Sequence, residues 1–260
     1  MKHAELSAVI LGVAALLGAW PGAPSAQEAT APRLYLMGDF LVETARADEY
    51  EAGLKDLLAE LKTHGFPLLF DAYSTDDGHY YFIYEMDGYA GADRWHAAWE
   101  AFAAKAGWER FLLLHGRTAA CEIEGVYKFW TFTPEQSFLP DNSRLRMEEI
   151  GYYTWDYVYL LPGKEAEFEA INKEWVALSR RKGARDPFMT YRGGFGTSQP
   201  AYCWFEWGKS AADYAAAEDA FWKAMGEEGA TLSKRTRALI RRTETKTGRY
   251  RPDLSYSPQK

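Results

Sequence analysis

Cysteine is nearly absent: Cys121 and Cys203 are the only two in 260 residues. At most one internal disulfide can form, and nothing local brings the pair together. Two thiols also fall short of the four-ligand cluster of a structural zinc site, and no metal-ligand spacing is found elsewhere. Each cysteine is expected instead as a small buried residue on a strand. A basic excess is absent too. Thirty Lys and Arg stand against 37 Asp and Glu, a net charge of −7, which argues against nucleic acid as a partner, since that requires a positive footprint. No apolar run reaches the roughly 20 residues needed to cross a bilayer, so stable membrane insertion is not expected. Walker loop, dinucleotide fingerprint, nucleophile elbow and the Cys-x-x-Cys-His haem attachment signature are all missing.

The one notable apolar run is informative for its position. Met1-Lys2-His3 precedes 13 apolar residues, Ala8 to Trp20, and then Pro21-Gly22-Ala23-Pro24-Ser25-Ala26. A basic start, a short apolar stretch and small residues at its end describe a secretory signal peptide over residues 1–26, cleaved near Ala26. No cysteine sits there to carry a lipid, so the expectation is a periplasmic or secreted protein.

Aromatic residues are abundant: 10 Trp, 17 Tyr and 14 Phe, or 16% of the chain. Much of that content recurs. Sliding the sequence by about 118 positions sets Tyr35–Val42 over Tyr152–Tyr159, so that Asp39 falls on Asp156. Glu49-Tyr50-Glu51-Ala52 falls on Glu167-Phe168-Glu169-Ala170, Gly65 on Gly183, and Tyr73 on Tyr191. After a longer turn, Tyr81–Glu85 meets Tyr202–Glu206, and Trp95, Phe102 and Gly107 meet Tyr214, Phe221 and Gly226. An aromatic-x-Pro-acid-x-Ser-aromatic-x-Pro tail closes each half, from Phe132 and from Tyr250. Chance supplies any one of these matches but not all of them in order, and a fixed period defines the architecture before any motif does.

Each half reads alike. Strands are predicted over 34–42 and 152–160, from their aromatic and β-branched content. An amphipathic helix follows, with Tyr50, Leu54, Leu57, Leu58 and Leu61 on one face and Phe168, Ile171, Trp175 and Leu178 on the other copy's. A glycine stops each helix. Two strands come next, 68–74 with 79–86 and 187–192 with 201–207, the first pair joined through Asp76-Asp77-Gly78, a hairpin signal. A second helix is predicted from 92 to 105 and from 211 to 225. A fourth strand is sought in 111–114 and 119–129, while 231–243 reads as helix. The order β-α-β-β-α-β is the ferredoxin-like unit. The fold class is therefore α+β, with repeats at 27–145 and 146–260.

The entry into the second copy's first helix, Pro162-Gly163-Lys164-Glu165-Ala166-Glu167-Phe168, together with this element order, resembles the dimeric α/β-barrel superfamily. That group includes NIPSNAP-like proteins, antibiotic-biosynthesis-type monooxygenases and haem-handling relatives. The resemblance implies that two ferredoxin-like units close one barrel. Here a tandem duplication supplies both, as an internal pseudo-dimer in a single chain. Charge divides unevenly between them: residues 1–150 carry 12 basic and 23 acidic side chains, residues 151–260 carry 18 and 14, so the halves attract across an internal interface.

Duplicated polar positions are the first candidates for chemistry. Asp39 and Asp156 lie on the first strands, Glu85 and Glu206 on the third, and those strands are neighbours in a ferredoxin-like sheet. Paired carboxylates with a dry face make acids and bases, because one pKa is pushed up; the competing reading is a structural hydrogen-bond network. Tyr73, Trp95 and Trp99, with Tyr191, Arg192 and Tyr214, are the candidate ligand-binding residues of aromatic cavities. Trp99 and Trp222, unmatched by the repeat, are the aromatics least explained as duplicated core. The glycine-rich Arg192–Gly196 segment joins two strands and reads as a hairpin that could cover a cavity. The basic run Lys234, Arg235, Arg237, Arg241, Arg242 and Lys246 reads as a solvated face or an anion site. Among the histidines, all in the first half, His96 lies between Trp95 and Trp99, and the resemblance makes it a candidate axial haem ligand. Three functions stay open: binding of a small, partly apolar molecule, a cofactor-independent monooxygenase or haem-handling oxidoreductase, and an interaction module without a ligand.

Overall fold

The computed structural model of the chain describes residues 31–258, so the expected signal peptide lies outside the described residues. Eight strands run β1 (Arg33–Val42), β2 (Asp71–Thr75), β3 (His79–Met86), β4 (Glu122–Phe132), β5 (Tyr152–Leu160), β6 (Met189–Gly193), β7 (Ala201–Gly208) and β8 (Ile240–Tyr250). The helices are α1 (Ala47–His64), α2 (Gly91–Ala106), α3 (Trp108–Ala119), α4 (Glu165–Arg181) and α5 (Ala211–Arg237). α5 is broken at Gly226, whose φ of 56° and ψ of −143° are not helical. Gly107, with φ 90°, marks the same break between α2 and α3. Glycine suits both places because a side chain resists that region of backbone space.

All the strands pair antiparallel in one closed barrel of order β1-β3-β2-β8-β5-β7-β6-β4. The two repeats meet at matching seams, Tyr73 opposite Tyr250 on β2 and β8, and Phe132 opposite Tyr191 on β4 and β6. Alternation along each strand sends one set of side chains into the lumen and the other under the helices. Tyr35, Met37, Tyr81, Trp130, Tyr153, Trp155, Tyr157 and Phe205 fill the lumen. Leu36, Phe82 and Tyr84 pack beneath α1–α3, and Val158, Leu160 and Tyr202 beneath α4 and α5.

The proline-containing tails form a reciprocal clasp. Phe138, in the first repeat's arm, bridges to Phe188 of the second, and Tyr256, in the second's arm, bridges to Phe70 of the first. Ser137 and Ser255 occupy equal roles, each accepting from a backbone N–H of the other repeat, Thr190 and Ala72 respectively. The buried Arg251 reaches Glu51 on α1. Cys121 and Cys203 are both buried and unbridged. Cys203 is on β7, while Cys121 lies in the turn before β4 rather than on a strand.

Three sequence expectations need correction. Residues 111–114 belong to helix α3, not a strand, and the segment 231–243 leaves the helix after Arg237 to become β8. The strand alignment of the repeats is also one residue out. Tyr35 and Tyr153 both face the lumen, opposite Glu85 and Trp207, so Tyr35 corresponds to Tyr153, not Tyr152. On a strand, a slip of one residue exchanges inside for outside.

Candidate functional site

Each repeat holds a cavity between the outer face of its sheet and its helices. The first, about 330 Å3, is walled by Phe82 and Tyr84 from β3, Trp95 and Trp99 from α2, Phe111 from α3, and Glu122 from β4. The buried indole N–H groups of Trp95 and Trp99 turn toward the Tyr84 hydroxyl without a hydrogen bond of ordinary geometry. Buried donors without an acceptor are rare in folded proteins. The Glu122 carboxyl makes no hydrogen bond or ion pair among the described residues, and burial raises its pKa.

The cavity of the second repeat is about 250 Å3, walled by Trp175, Phe188, Trp204, Phe221 and Trp222, with a side chamber of about 90 Å3 beside Tyr214. Glu206 lines both chambers. Its position on β7 corresponds to Tyr84 on β3, so an acid replaces a phenol at the same point of the duplicated scaffold. Burial pushes the Glu206 carboxyl up to about 7; the hydrogen bond from Tyr214 pulls the other way, and the negative charge of Asp156 adds to the rise. The Tyr214 hydroxyl donates to Glu206 Oε2 at 2.5 Å. Asp156, whose pKa burial also raises, accepts from Thr245 at 2.5 Å. Asp156 and Glu206 share the outer face of adjacent strands, offset by two residues in register, since Thr154 is opposite Glu206. A carboxyl that titrates near neutrality in an aromatic slot can take or give a proton at working pH.

Of the two Asp–Glu approaches expected, only Asp156 and Glu206 share a face, two residues apart in register. Asp39 lies opposite Tyr81 and Glu85 opposite Tyr35, four residues apart, or ~13 Å along the strands. Asp39 faces the lumen at one barrel end, while the Glu85 side chain, 55% exposed, pairs with Arg33 at 3.4 Å at the other. Asp156 escapes the lumen because of the one-residue slip. Tyr73 and Tyr191 face the packed lumen, where the remaining void is only about 50 Å3. Arg192 is mostly exposed, 3.9 Å from Glu169. Trp95 and Trp99 line the first cavity, Tyr214 the second, and the unmatched Trp222 stands at the second cavity's rim. The basic run scatters: Arg235 pairs with Glu174, Arg242 stacks on Tyr159, and Lys246 enters the barrel mouth.

No family model matches the chain, and no curated protein matches it in sequence. Solved structures do match. An anthrone oxidase-like protein superposes over 86% of this chain and 93% of its own, with a TM-score of 0.56 and 12% identity. A candidate monooxygenase from Lactobacillus acidophilus NCFM covers 85% and 94%, with a TM-score of 0.50 and 10% identity. Another, from Fusobacterium nucleatum subsp. nucleatum, covers 85% and 93%, with a TM-score of 0.50 and 14% identity. The fold is the dimeric α/β barrel. What is shared at these identities is that fold, with both halves of the dimeric α/β barrel here in one chain.

The resemblance to haem-handling barrels raises the question of whether the residues fit haem. An axial histidine must point at the iron from inside its pocket. His96 lies at the rim of the first cavity with 68% of its side chain exposed, turned to Glu100 at 3.7 Å. His115, also at that cavity, is exposed, and the second half of the chain has no histidine. In the cavities between sheet and helices, the residues do not fit the histidine-ligated haem that the resemblance implies. Among the described residues there is also no group of three or more His, Cys, Asp or Glu side chains able to hold a metal ion, and no helix is long and apolar enough to cross a membrane.

Sequence reasoning missed Glu122, Trp204 and the buried Asp71. Glu122 and Trp204 lie on strands whose inner and outer faces only the correct register reveals. The signal that could have found them was the Tyr–Glu bond shared by the repeats. Tyr80 donates to Glu51 at 2.9 Å and Tyr202 to Glu169 at 2.7 Å, which fixes β3 on β7 with Tyr80 matching Tyr202.

Proposed function

We propose that this exported protein binds a small, partly apolar aromatic molecule in the cavity of its second repeat, with Glu206 as the group that exchanges a proton with it. The observation that carries this reading is a carboxyl raised to about 7, held by Tyr214 at the end of a slot walled by three tryptophans. Apolar walls with a few placed polar groups are what small-molecule pockets require. A phenol or enol fits that chemistry: its ring packs against Trp204 and Trp222, and its hydroxyl meets the ionised carboxylate. The cavity of the first repeat has a phenol, Tyr84, where Glu206 stands, and its own half-buried carboxyl, Glu122, comes from β4 without a tyrosine partner.

The test is titration of the full chain with 1-naphthol, followed by quenching of tryptophan emission. Saturable quenching is expected, weakened about tenfold by Glu206→Gln, the scale of one lost charge-assisted hydrogen bond. No saturation up to the solubility limit, or equal binding by the variant, retires the reading.

A second reading is a cofactor-independent oxygenase acting on the same bound phenol or enol. It is favoured by the oxidase and monooxygenase names of barrels with this fold and by a base placed to form the electron-rich anion that reacts with dioxygen. Oxygen uptake with anthrone as probe tests it. Uptake at the rate of the uncatalysed solution removes anthrone-type oxygenation from consideration.

A further inference from the structure

Aromatic rings plug the middle of the barrel, but one end opens into a polar cavity of about 410 Å3. It is the end where β1 and β5 both finish, so the cavity lies on the pseudo-twofold axis relating the repeats. Two lysines enter it from matching positions, Lys128 on β4 and Lys246 on β8. Around them symmetry is broken: Asp39 and His79 stand where the second repeat has Tyr157 and Ala201.

The charged groups form one chain across the β2–β8 seam. Lys128 donates to Asp39 Oδ2 at 2.6 Å, and His79 Nδ1 lies 2.7 Å from Asp39 Oδ1. His79 Nε2 lies 3.2 Å from Lys246 Nζ, which also bonds Asp77 and sits 3.3 Å from Glu244. An ammonium cannot accept a hydrogen bond. Nε2 is therefore the acceptor from Lys246, and Nδ1 carries the proton given to Asp39.

Donors remain unspent at the floor. Trp130 is 6% exposed, and its indole N–H has no acceptor. The hydroxyls of Tyr81 and Tyr157, 0% and 5% exposed, face each other without an ordinary hydrogen bond. All three residues line the cavity. Lys128 has N–H groups beyond the one it gives Asp39, whereas the three of Lys246 are directed at Asp77, His79 and Glu244. Of the other acids lining the mouth, Glu124 is exposed at the rim, where water screens it, and Glu244 is paired with Lys246. The floor thus holds an unspent indole donor and two hydroxyls that can donate or accept.

We propose that the barrel mouth is a binding site for a small carboxylate with an apolar body. Its oxygens accept from Lys128 and the Trp130 N–H, beside the positive charge of Lys246, and its body lies on Tyr81, Trp130 and Tyr157. The β6–β7 loop forms one lip through Thr197 and Ser198. That loop is held against β4 by Phe129 N–H to the Phe195 carbonyl and Gly194 N–H to the Phe129 carbonyl, both 2.8 Å. Gly196, at φ 83°, passes so close to the Tyr127 carbonyl that no side chain fits. The site uses the lumen face of the sheet, opposite to the face that carries Glu206, and stands independently of the function proposed above.

Titration of the full chain with benzoate, and with benzyl alcohol as its neutral counterpart, tests the proposal. Benzoate is expected to bind at least about tenfold more tightly, the scale of charge-assisted bonds. Trp130→Phe, which keeps an apolar ring and removes the donor, and Lys246→Gln are each expected to weaken benzoate about tenfold while leaving benzyl alcohol unchanged. Glu206→Gln is expected to leave benzoate binding unaltered, which separates the two sites. In the unmodified protein, amide shifts of Thr197 and Ser198 should follow the benzoate titration. Equal affinity for the two probes, no saturation, or shifts confined to the helices overturns the proposal.

Discussion

Glu206, half-buried, and Asp71, buried, are two carboxyls whose pKa values the fold raises. Asp71, 2% exposed, is pushed up to about 7 by burial, against the pull of the Tyr250 hydroxyl at 3.2 Å. Both groups bind their proton more tightly folded than unfolded. Between about pH 4 and 7 the folded chain therefore holds more protons, and stability must fall as pH rises through that window, then level off. Asp39 works in the opposite sense. Burial opposes its charge, but His79 and Lys128 hold its pKa below the usual value, so its contribution is present near neutrality and lost in acid. Melting temperature recorded against pH should decline from pH 5 to about 7, and Asp71→Asn should flatten the decline. An unchanged slope in that variant would show that Asp71 does not carry the effect.

At the scale of elements, the clasp makes a sharp prediction. Ser137 Oγ donates to the Thr133 carbonyl at 2.8 Å and accepts from Thr190 N–H at 2.9 Å. Ser137→Ala strands a buried N–H, at a cost of about 2 kcal/mol, and should lower the melting temperature by about 4–8 °C. Ser255→Ala should behave alike by pseudo-symmetry, which calorimetry of the two variants can compare. Gly107→Ala, strained at φ 90°, should lose about 1 kcal/mol in a denaturant melt. The helices α1 and α4 were legible in their periodic faces and glycine stops, and β3, β5 and β7 in their aromatic runs. Two elements were not, for physical reasons. Phe111-Leu112-Leu113-Leu114 is a short apolar run, which periodicity alone cannot assign, and Leu112 and Leu113 are in fact exposed on α3. β8 lacks the hydrophobic alternation of a barrel strand because its lumen-facing Arg242, Glu244 and Lys246 build the polar mouth. The site was half legible for a related reason. Composition showed that carboxylates recur, but their pairing depends on a register that a one-residue slip inverts.

For the molecule as a whole, the unequal charge of the halves finds partners across the seams, in Glu51 with Arg251 and Asp77 with Lys246. The lumen aromatics come from both repeats, so neither half can bury them alone. Residues 27–145 and 146–260 expressed separately are expected to give no cooperative melt, and on mixing to recover one. Sharp independent melts of the separated halves in circular dichroism would contradict this. Gly107 and Gly226 still mark the common plan, and Lys128 with Lys246 still meets on the axis. Elsewhere the copies have parted, with Tyr84 against Glu206 and His79 against Ala201. A barrel assembled from two identical subunits would suffer every substitution twice, once on each side of its axis. Joined end to end, the repeats drift separately: one pocket can keep a phenol at the point where its twin gains an acid, and neither has to tolerate the other's chemistry.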